Sequence, residues 1–366
     1  MNILILEPFF GGSHKQWATG LQNYSTNKIE ILSLSAHNWK WRMHGGAVSL
    51  AEKFLKSSFQ PDLIIASDML DLALFKSLCS SKLIGVKTIL YFHENQLTYP
   101  TGSNSGVREI DMHYPFINFT SALVADKVVF NSEFHKNEFL AALPNFLNAF
   151  PEPSLSKNIK KIVDKSSVIY PGVEIDEKFL SSEKIENSGK PVFLWNHRWE
   201  KDKNPEEFFK LLYEIKERGY DFSIILLGQR FSNSPACFAE AEIRLKNNIL
   251  FSGYCDSKEE YFRFLLKADI LPVTSHHDFF GYSVAEAVLC NCYPLLPNRQ
   301  AYPEHIPAEY QQIHIYNDFD SLLEKSIYCI QNINQIREVR TQLFAKKFLW
   351  KEIICKYDDC FLQTTF

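Results

Sequence analysis

The sequence predicts an α/β protein made of two doubly wound domains, each a parallel sheet covered by helices. The chain has 366 residues, too many for one comfortable core and about right for two domains. Short apolar runs alternate along it with helix-length amphipathic segments, as in βαβ units. Between the two series lies a polar, proline-containing stretch, residues 151–190. These three observations favour two similar halves joined by a linker.

The apolar runs give the expected strands, because a strand buried on both faces of a parallel sheet is apolar throughout. In the first half we expect strands at residues 3–6, 29–34, 63–66, 88–92, 124–130 and 167–170. In the second half we expect them at residues 192–195, 223–227, 249–251, 270–273 and 293–296. Ligands of such sheets collect at the carboxyl ends of the strands, so the candidate site residues are sought there.

The domain limits follow from the linker and from the last apolar pattern. We place the hinge near residues 172–190, which gives a first domain of residues 1–172 and a second of residues 173–343. Residues 344–361 carry apolar side chains at helical spacing, which predicts a terminal helix with one face to bury.

Composition excludes several classes of protein. With 46% hydrophobic and 22% charged residues the chain is not typical of a disordered protein. No apolar run approaches the roughly 20 residues that span a bilayer, and the N-terminus lacks the features of a signal peptide. We therefore expect a cytoplasmic protein without a membrane segment. The eight cysteines have no metal-ligand spacing and are expected to be reduced.

A net charge of -4 gives no overall attraction to polyanions, so a nucleic-acid partner would need a local patch. The candidate patch is basic and aromatic together and consists of Lys40, Trp41 and Arg42. The alternative interpretation is a loop whose tryptophans pack inward.

Residues 276–287, after the expected strand at 270–273, form the most informative stretch. Gly281 lets the backbone approach a ligand, and the helix expected to begin near Ser283 offers amide groups to an anion. This predicts a diphosphate cradle. Asp278 and Glu286 flank it and could accept hydrogen bonds from sugar hydroxyls. The alternative for Glu286 is a capping box with Ser283.

Three further groups follow strands. Arg198 and Lys203 come after the strand at 192–195 and could neutralise a departing diphosphate, although a solvated charged loop is the alternative. The pair Gly11 and Gly12 follows the first strand and permits close backbone approach to a ligand. The third group ends the strand at 88–92 and could contact a sugar, although a lone histidine is more often a satisfied structural residue. It consists of His93, Glu94 and Asn95.

Together these motifs resemble the family 4 retaining glycosyltransferases, whose GT-B architecture has two Rossmann-like domains with a cleft between them. The segment from Asp278 to Glu286 is similar to the E-x7-E motif of that family, with Asp where the family usually has Glu. Arg198 and Lys203 resemble its diphosphate-binding pair, and the two glycines its N-terminal loop. The helix at residues 344–366 resembles the one that crosses back to the first domain.

The resemblance implies a nucleotide-sugar donor and assigns a role to each candidate. Arg198, Lys203 and the amides of Phe280, Gly281 and Tyr282 would hold the diphosphate. Glu286 would hold the ribose, Asp278 and His93 the sugar, and Gly11 and Gly12 the diphosphate from the first domain. No metal and no cofactor is implied, because the cations replace a metal ion.

Three longer blocks, residues 7–14, 38–46 and 91–100, more narrowly resemble the tRNA-queuosine α-mannosyltransferases within that family. This implies GDP-mannose as donor and the cyclopentenediol of queuosine in a tRNA anticodon as acceptor. The acceptor-binding residues would be Lys40, Trp41, Arg42, Glu94 and Asn95. Two alternatives remain: a glycosyltransferase of the same architecture with a lipid, glycan or small-molecule acceptor, and a non-catalytic protein that binds nucleotide sugars. No oligomeric state is predicted.

Overall fold

The computed structural model describes residues 1–99, 112–151, 153–182, 184 and 189–366. Residues 183 and 185–188 of the expected hinge, and Pro100 at the end of the third resembling block, lie outside the described residues. The chain divides into two compact units. Unit 1 comprises residues 1–174 and 350–366, and unit 2 comprises residues 175–349.

Unit 1 contains a six-stranded parallel sheet in the order β2-β1-β3-β4-β5-β6. Its strands are β1 (Asn2–Phe10), β2 (Lys28–Ser35), β3 (Leu63–Ser67), β4 (Lys87–Phe92), β5 (Lys127–Phe130) and β6 (Ser166–Val168). Its helices are α1 (Gly12–Tyr24), α2 (Trp39–Lys56), α3 (Leu72–Leu78), α4 (His113–Val124), α5 (Glu133–Leu147) and α6 (Ile159–Val163). The run at 124–130 was expected to be one strand, but Val124 is the last residue of α4 and the strand begins at Lys127.

The strands of unit 1 are apolar because they are buried on both faces. Leu4 and Leu6 of β1 lie in one core cluster with Ile64 of β3, whereas Ile3 and Ile5 lie in the cluster on the opposite face. Alternate side chains of a strand point to opposite faces, so a strand covered on both sides needs apolar residues at every position. This explains why continuous apolar runs located the strands.

Unit 2 repeats the design with a second six-stranded parallel sheet, ordered β12-β11-β10-β7-β8-β9. Its strands are β7 (Val192–Trp195), β8 (Ser223–Leu227), β9 (Ile249–Gly253), β10 (Ile270–Pro272), β11 (Tyr293–Pro297) and β12 (Ile315–Tyr316). Its helices are α7 (Glu177–Leu180), α8 (Pro205–Glu217), α9 (Cys237–Arg244), α10 (Lys258–Lys267), α11 (Tyr282–Leu289), α12 (Gln311–His314), α13 (Phe319–Gln331), α14 (Ile333–Glu338) and α15 (Gln342–Ala345). Strand β12 was not expected, because two residues are too few to form a recognisable apolar run.

The last helix, α16 (Trp350–Thr365), belongs to unit 1, whereas residues 344–349 belong to unit 2. The expected helix over residues 344–361 is therefore interrupted. Phe348 packs edge-on against Phe280, while Leu349 is extended and ends that segment. Trp350, Ile353 and Tyr357 then join the core cluster that contains Ile3 and Ile5.

Among the helices in the described part of the chain, none is both long and apolar enough to cross a membrane.

Candidate active site

The site of unit 2 lies at the carboxyl ends of β7 and β10. These two strands pair directly, with Ile270 opposite Phe193, so the loops that follow them are neighbours. The loop after β7 carries Arg198 and Lys203, and the loop after β10 carries Asp278. The topology therefore brings together two motifs about 75 residues apart in the chain, as a parallel sheet requires.

Lys203 and Asp278 form the ion pair at the centre of this site. The Nζ of Lys203 lies 3.3 Å from Oδ2 of Asp278 and 3.2 Å from Oδ2 of Asp202, and it donates a hydrogen bond of 3.0 Å to the carbonyl of His277. The side chain of Lys203 is only 12% exposed. Burial alone would lower its pKa, but the carboxylates of Asp278 and Asp202 raise the pKa overall. Burial likewise opposes ionisation of Asp278, yet the Lys203 ammonium lowers the pKa of that carboxyl. Both groups are charged.

Arg198 has a different environment from Lys203. Its side chain is 56% exposed, and Nη2 lies 3.1 Å from Oε2 of Glu200. An exposed ion pair of this kind contributes little to stability and exchanges readily for another anion. The alternative interpretation of this segment as a solvated charged loop is correct for Arg198 but not for Lys203, whose side chain is only 12% exposed.

Glu286 lies on α11, and its Oε2 accepts a hydrogen bond of 2.8 Å from the hydroxyl of Tyr261. Burial raises the pKa of Glu286 to about 7, against the opposing effect of the Tyr261 hydrogen bond. The capping box with Ser283 is wrong: α11 begins at Tyr282, and the Ser283 hydroxyl lies 3.0 Å from Nδ1 of His197. The carboxyl of Glu286 is instead directed at Tyr261.

Two partners in this site were not singled out from the sequence. Tyr261 lies on α10, and no motif around it signals a site. Asn196 is buried and donates a hydrogen bond of 2.6 Å from Nδ2 to the carbonyl of Ser283, which ties the loop after β7 to the start of α11. Only the fold places these side chains beside the motifs.

The entry to α11 has the backbone expected of an anion cradle. Gly281 is the N-cap residue with φ 95°, a conformation that side chains with a Cβ disfavour. His305 Nε2 lies 2.6 Å from the carbonyl oxygen of Phe280 and holds the preceding residue in place. Amide groups at the start of a helix are a common binding site for anions, so the predicted cradle of Phe280, Gly281 and Tyr282 has a suitable place in the fold and stays a prediction.

The local structure of unit 1 explains why residues 11 and 12 are both glycine. A Cβ on Gly11 would lie 2.5 Å from Cβ of Ala36, and Gly12 has φ 52°. Gly11 is thus required by packing, and Gly12 by the left-handed backbone at the start of α1. Their predicted contact with a diphosphate stays a prediction.

Beside the glycine pair, four polar side chains form what we call the buried cluster: Glu7, His14, Asp68 and His93. Each is at most 7% exposed. Nδ1 of His14 lies 3.0 Å from Oε2 of Glu7, and the backbone N–H of His93 donates a hydrogen bond of 2.8 Å to Oδ1 of Asp68. The His14 and His93 rings are 4.1 Å apart between centroids. Of these four, only His93 was singled out from the sequence.

Ligand atoms of Glu7, His14 and His93 lie within 4.8 Å of one another, which is close enough for the group to be considered as a metal centre. However, Oε1 of Glu7 already accepts hydrogen bonds from the Phe9 N–H and the Ser67 hydroxyl. Its Oε2 is bonded to His14, whose proton a metal ion would have to displace. We therefore interpret the cluster as a hydrogen-bonded group of polar side chains.

The basic and aromatic residues of the candidate patch lie in the first turn of α2, not in a loop. The interpretation of an inward-packed loop is wrong for Trp41, whose side chain is 63% exposed, although Trp39 does pack against Tyr114. Lys40 is exposed, with its Nζ 5.7 Å from the ring centre of Trp39. Arg42 donates hydrogen bonds of 2.9 Å to the carbonyl and hydroxyl of Ser35.

Glu94 and Asn95 follow β4 and differ in accessibility. Asn95 is fully buried, and its Oδ1 accepts hydrogen bonds from the N–H groups of Leu97 and Thr98. Asn95 thus shapes the loop after β4, and its predicted contact with an acceptor stays a prediction. Glu94 is half-buried and accepts a hydrogen bond of 2.9 Å from Gln96.

Two units, each with a six-stranded parallel sheet covered by helices, are the architecture of the GT-B class of glycosyltransferases. Solved structures of this fold align with nearly the whole chain. The sucrose-phosphate synthase of Thermosynechococcus elongatus has a TM-score of 0.71 at 13% identity and covers 99% of this chain and 98% of its own. The Anabaena protein HepE, solved in complex with UDP, has a TM-score of 0.68 at 14% identity and covers 99% of this chain and 100% of its own.

Sequence comparison identifies the family. Residues 2–173 match the model of the N-terminal region of tRNA-queuosine α-mannosyltransferases, and residues 176–341 match that of group 1 glycosyl transferases. The tRNA-queuosine α-mannosyltransferase of Drosophila melanogaster is 34% identical over 373 residues, covering 98% of this chain and 96% of that protein. The chain belongs to the tRNA-queuosine α-mannosyltransferase family of GT-B glycosyltransferases.

Proposed function

We propose that this glycosyltransferase transfers mannose from GDP-mannose to queuosine in a tRNA anticodon, with retention of the anomeric configuration. The observation that carries the proposal is the 34% identity to the Drosophila melanogaster enzyme, which extends over both units. The mannose of GDP-mannose is α-linked, and the product of an α-mannosyltransferase is also α-linked. The anomeric carbon of the transferred sugar would therefore keep its configuration. The transferred sugar and the acceptor are thus inferred from the relative, whereas GDP as the nucleotide of the donor stays a prediction from the sequence resemblance.

In unit 2, the proposed task is to bind the nucleotide and to stabilise the departing diphosphate. Such electrostatic stabilisation, by groups fixed before the reaction, is a major source of catalysis. Arg198 can exchange Glu200 for the diphosphate, and Lys203, which two carboxylates hold in place, is the second proposed cation. The amides at the start of α11 would bind the same phosphates, and Glu286 would accept hydrogen bonds from the ribose hydroxyls.

Asp278 would have two tasks in this proposal. Its Oδ2 is 3.3 Å from Lys203, so the residue holds the ammonium in place while the carboxylate can also accept a hydrogen bond from a sugar hydroxyl. The side chain is one methylene shorter than the usual glutamate of the family motif. No metal or cofactor is part of the proposal, because cations and amides supply the positive charge.

In unit 1, the proposed task is to bind the acceptor. A protruding indole and neighbouring cations are the features that stack on unpaired bases and neutralise phosphates of an RNA loop. Trp41, Lys40 and Arg42 have these features, since Trp41 is 63% exposed and Lys40 is exposed as well. Glu94 is the proposed acceptor contact at the end of β4, on a loop shaped by Asn95. Donor contacts from Gly11, Gly12 and His93 stay predictions.

The test is an incorporation assay with the purified full-length protein. Radiolabelled GDP-mannose is offered with queuosine-containing tRNA, with the same tRNA lacking queuosine, and with a lipid extract. UDP-glucose is the competing donor. Label should enter only the queuosine-containing tRNA and only from GDP-mannose. Label in the lipid fraction alone, or transfer from UDP-glucose alone, would overturn the proposed acceptor or donor, and no transfer at all would favour a binding protein.

The acceptor surface has its own test in a double charge reversal, Lys40→Glu with Arg42→Glu. Because salt-dependent phosphate contacts supply much of RNA affinity, the variant should lose at least about tenfold in tRNA affinity while GDP binding is unchanged. The matched control reverses Lys53 and Lys56 in the last turn of the same helix. Equal losses in both variants, or none in the first, would remove α2 from the acceptor site.

A further inference from the structure

The buried cluster of unit 1 contains more ionisable groups than the proposed function uses. Glu7 is fully buried and accepts hydrogen bonds of 2.8 Å from the Phe9 N–H, 3.0 Å from the Ser67 hydroxyl and 3.0 Å from Nδ1 of His14. A buried carboxylate is costly unless it is paired and hydrogen-bonded, and Glu7 has both kinds of partner.

His14 lies between this carboxylate and His93. Burial alone would lower its pKa, but the charge and hydrogen bond of Glu7 raise the pKa of His14 to about 9. Asp68 and Glu94, which follow β3 and β4, act in the same direction. At neutral pH His14 is thus an imidazolium, held by Glu7 on one side and lying against the His93 ring on the other, 4.1 Å away.

His93 is surrounded so that a second positive charge is disfavoured. Burial lowers its pKa well below the usual value, and His14 and His135, the latter on α5, lower it further. Trp17 and Tyr91 lie against its ring at 4.7 and 4.8 Å, so the ring has little freedom to turn. Its Nε2 is buried and has no hydrogen-bond partner among the described residues.

The fourth member of the buried cluster is Asp68. Burial raises the pKa of its carboxyl, with His14 acting against this shift and Glu94 adding to it. Oδ1 of Asp68 accepts the backbone N–H of His93, and Oδ2 is buried without a partner in the described part of the chain. The cluster then has one anion, Glu7, and one cation, His14, beside two neutral side chains.

We infer that His14, anchored by Glu7, is a positioning residue that fixes the ring of His93 and keeps it neutral. The inference stands on the 3.0 Å contact between Glu7 and His14 and on the close contact of the His14 and His93 rings, whose centroids are 4.1 Å apart with their planes tilted by 36°. A neutral imidazole can present Nε2 as an acceptor or a donor to a ligand hydroxyl, whereas an imidazolium can only donate. That the hydroxyl belongs to the transferred sugar rests on the proposed function.

The test follows histidine titration by NMR in the ligand-free, full-length protein carrying ¹³C- and ¹⁵N-labelled histidine. The signals of His14 and His93 are assigned from the His14→Gln and His93→Gln spectra. In the unaltered protein, His93 should not titrate between pH 5.5 and 8, and His14 should keep its proton past pH 8. In His14→Gln, the positive charge beside His93 is removed while Glu7 remains, so the pKa of His93 should rise.

The exposed His37 gives the matched control, since His37→Gln should leave the His93 titration unchanged. If His14→Gln does not fold, Glu7→Gln serves instead, and His14 should then lose its proton below pH 7. An unmoved His93 titration in a folded variant, a His14 that titrates near its ordinary pKa, or a stoichiometric divalent ion lost in His14→Gln would each overturn the inference. Because no substrate is present, a failed titration leaves the transfer assay unaffected, and a failed transfer assay leaves the titration result standing.

Discussion

At the level of single residues, Asp278 and Glu286 belong to one motif of unit 2 but differ in protonation. The Lys203 ammonium lies 3.3 Å from Asp278 and lowers its pKa despite burial. Glu286 accepts its hydrogen bond from the phenol of Tyr261 instead, and burial raises its pKa to about 7. One acid is therefore ionised throughout the physiological range, whereas the other is near half-protonation at neutral pH.

This difference predicts how GDP affinity depends on pH. If Glu286 binds the ribose as a carboxylate, then below about pH 7, where Glu286 is mostly protonated in the free protein, binding must be accompanied by release of its proton. GDP affinity should therefore rise as pH increases through 7 and level off above it. Calorimetric titration with GDP from pH 5.5 to 8.5 measures this dependence.

Glu286→Gln is the control, because the terminal phosphate of GDP itself titrates in a neighbouring range. The informative quantity is the difference in pH dependence between the unaltered protein and this variant. Identical pH profiles for the two proteins would show that the protonation of Glu286 does not govern nucleotide binding.

At the scale of elements, the start of α11 depends on the backbone of one residue. Gly281 has φ 95°, while a Cβ placed there would meet its nearest neighbours, Tyr302 and His305, at 3.5 and 3.6 Å, which is ordinary contact. The space is available, so the backbone conformation alone selects glycine. The direction of the first amide groups of α11 follows from the same conformation.

Gly281→Ala should therefore destabilise unit 2 by roughly 1–2 kcal/mol and also weaken GDP binding, because the amide groups would turn away from the anion. Urea denaturation and calorimetry measure the two effects. Gly219 follows α8 and provides the control, since it has φ 84° and no atom lies within 4 Å of the position that a Cβ would occupy. Gly219→Ala should cost similar stability with unchanged GDP affinity, and an equal loss of affinity in both variants would contradict the role of α11.

At the scale of the whole molecule, the chain leaves unit 1 and returns to it through Trp350. The indole lies where a Cβ of Gly20 or Gly172 would be, at 2.1 Å from ring atoms in each case. Seven residues further along α16, the Tyr357 hydroxyl accepts a hydrogen bond of 3.1 Å from Nε1 of Trp17. The last helix thus completes the core of unit 1.

Trp350→Ala should destabilise unit 1 by roughly 3–5 kcal/mol, as expected for the loss of a large buried aromatic side chain. Two units need not unfold in one transition, so hydrogen exchange is the better measurement. Exchange should accelerate in β4 of unit 1 and stay unchanged in β8 of unit 2. Leu362→Ala, at a position 52% exposed on the same helix, should affect neither strand. Uniform acceleration in both units would contradict this assignment.

Much of the architecture could be predicted because burial on two faces demands uninterrupted apolar runs, which are visible in the sequence. The ends of helices and strands were harder to predict where the apolar runs are short or continuous with one another. Strand β12 has only two residues, too few for a visible pattern. Val124 was assigned to a strand although it ends α4, because an apolar pattern does not distinguish the end of a helix from the start of a strand. The family was also predictable, since its motifs are contiguous in the chain.

Two doubly wound units, a glycine turn before a helix and membership in a family of glycosyltransferases could be predicted from local patterns of residues. Which side chains are partners became visible only in the folded chain, which pairs Lys203 with Asp278, Tyr261 with Glu286, and Glu7 with His14. The physical reason is that apolar periodicity and turn chemistry are local properties of the chain. Protonation depends instead on burial and on charges a few ångströms away, which the fold brings from distant positions.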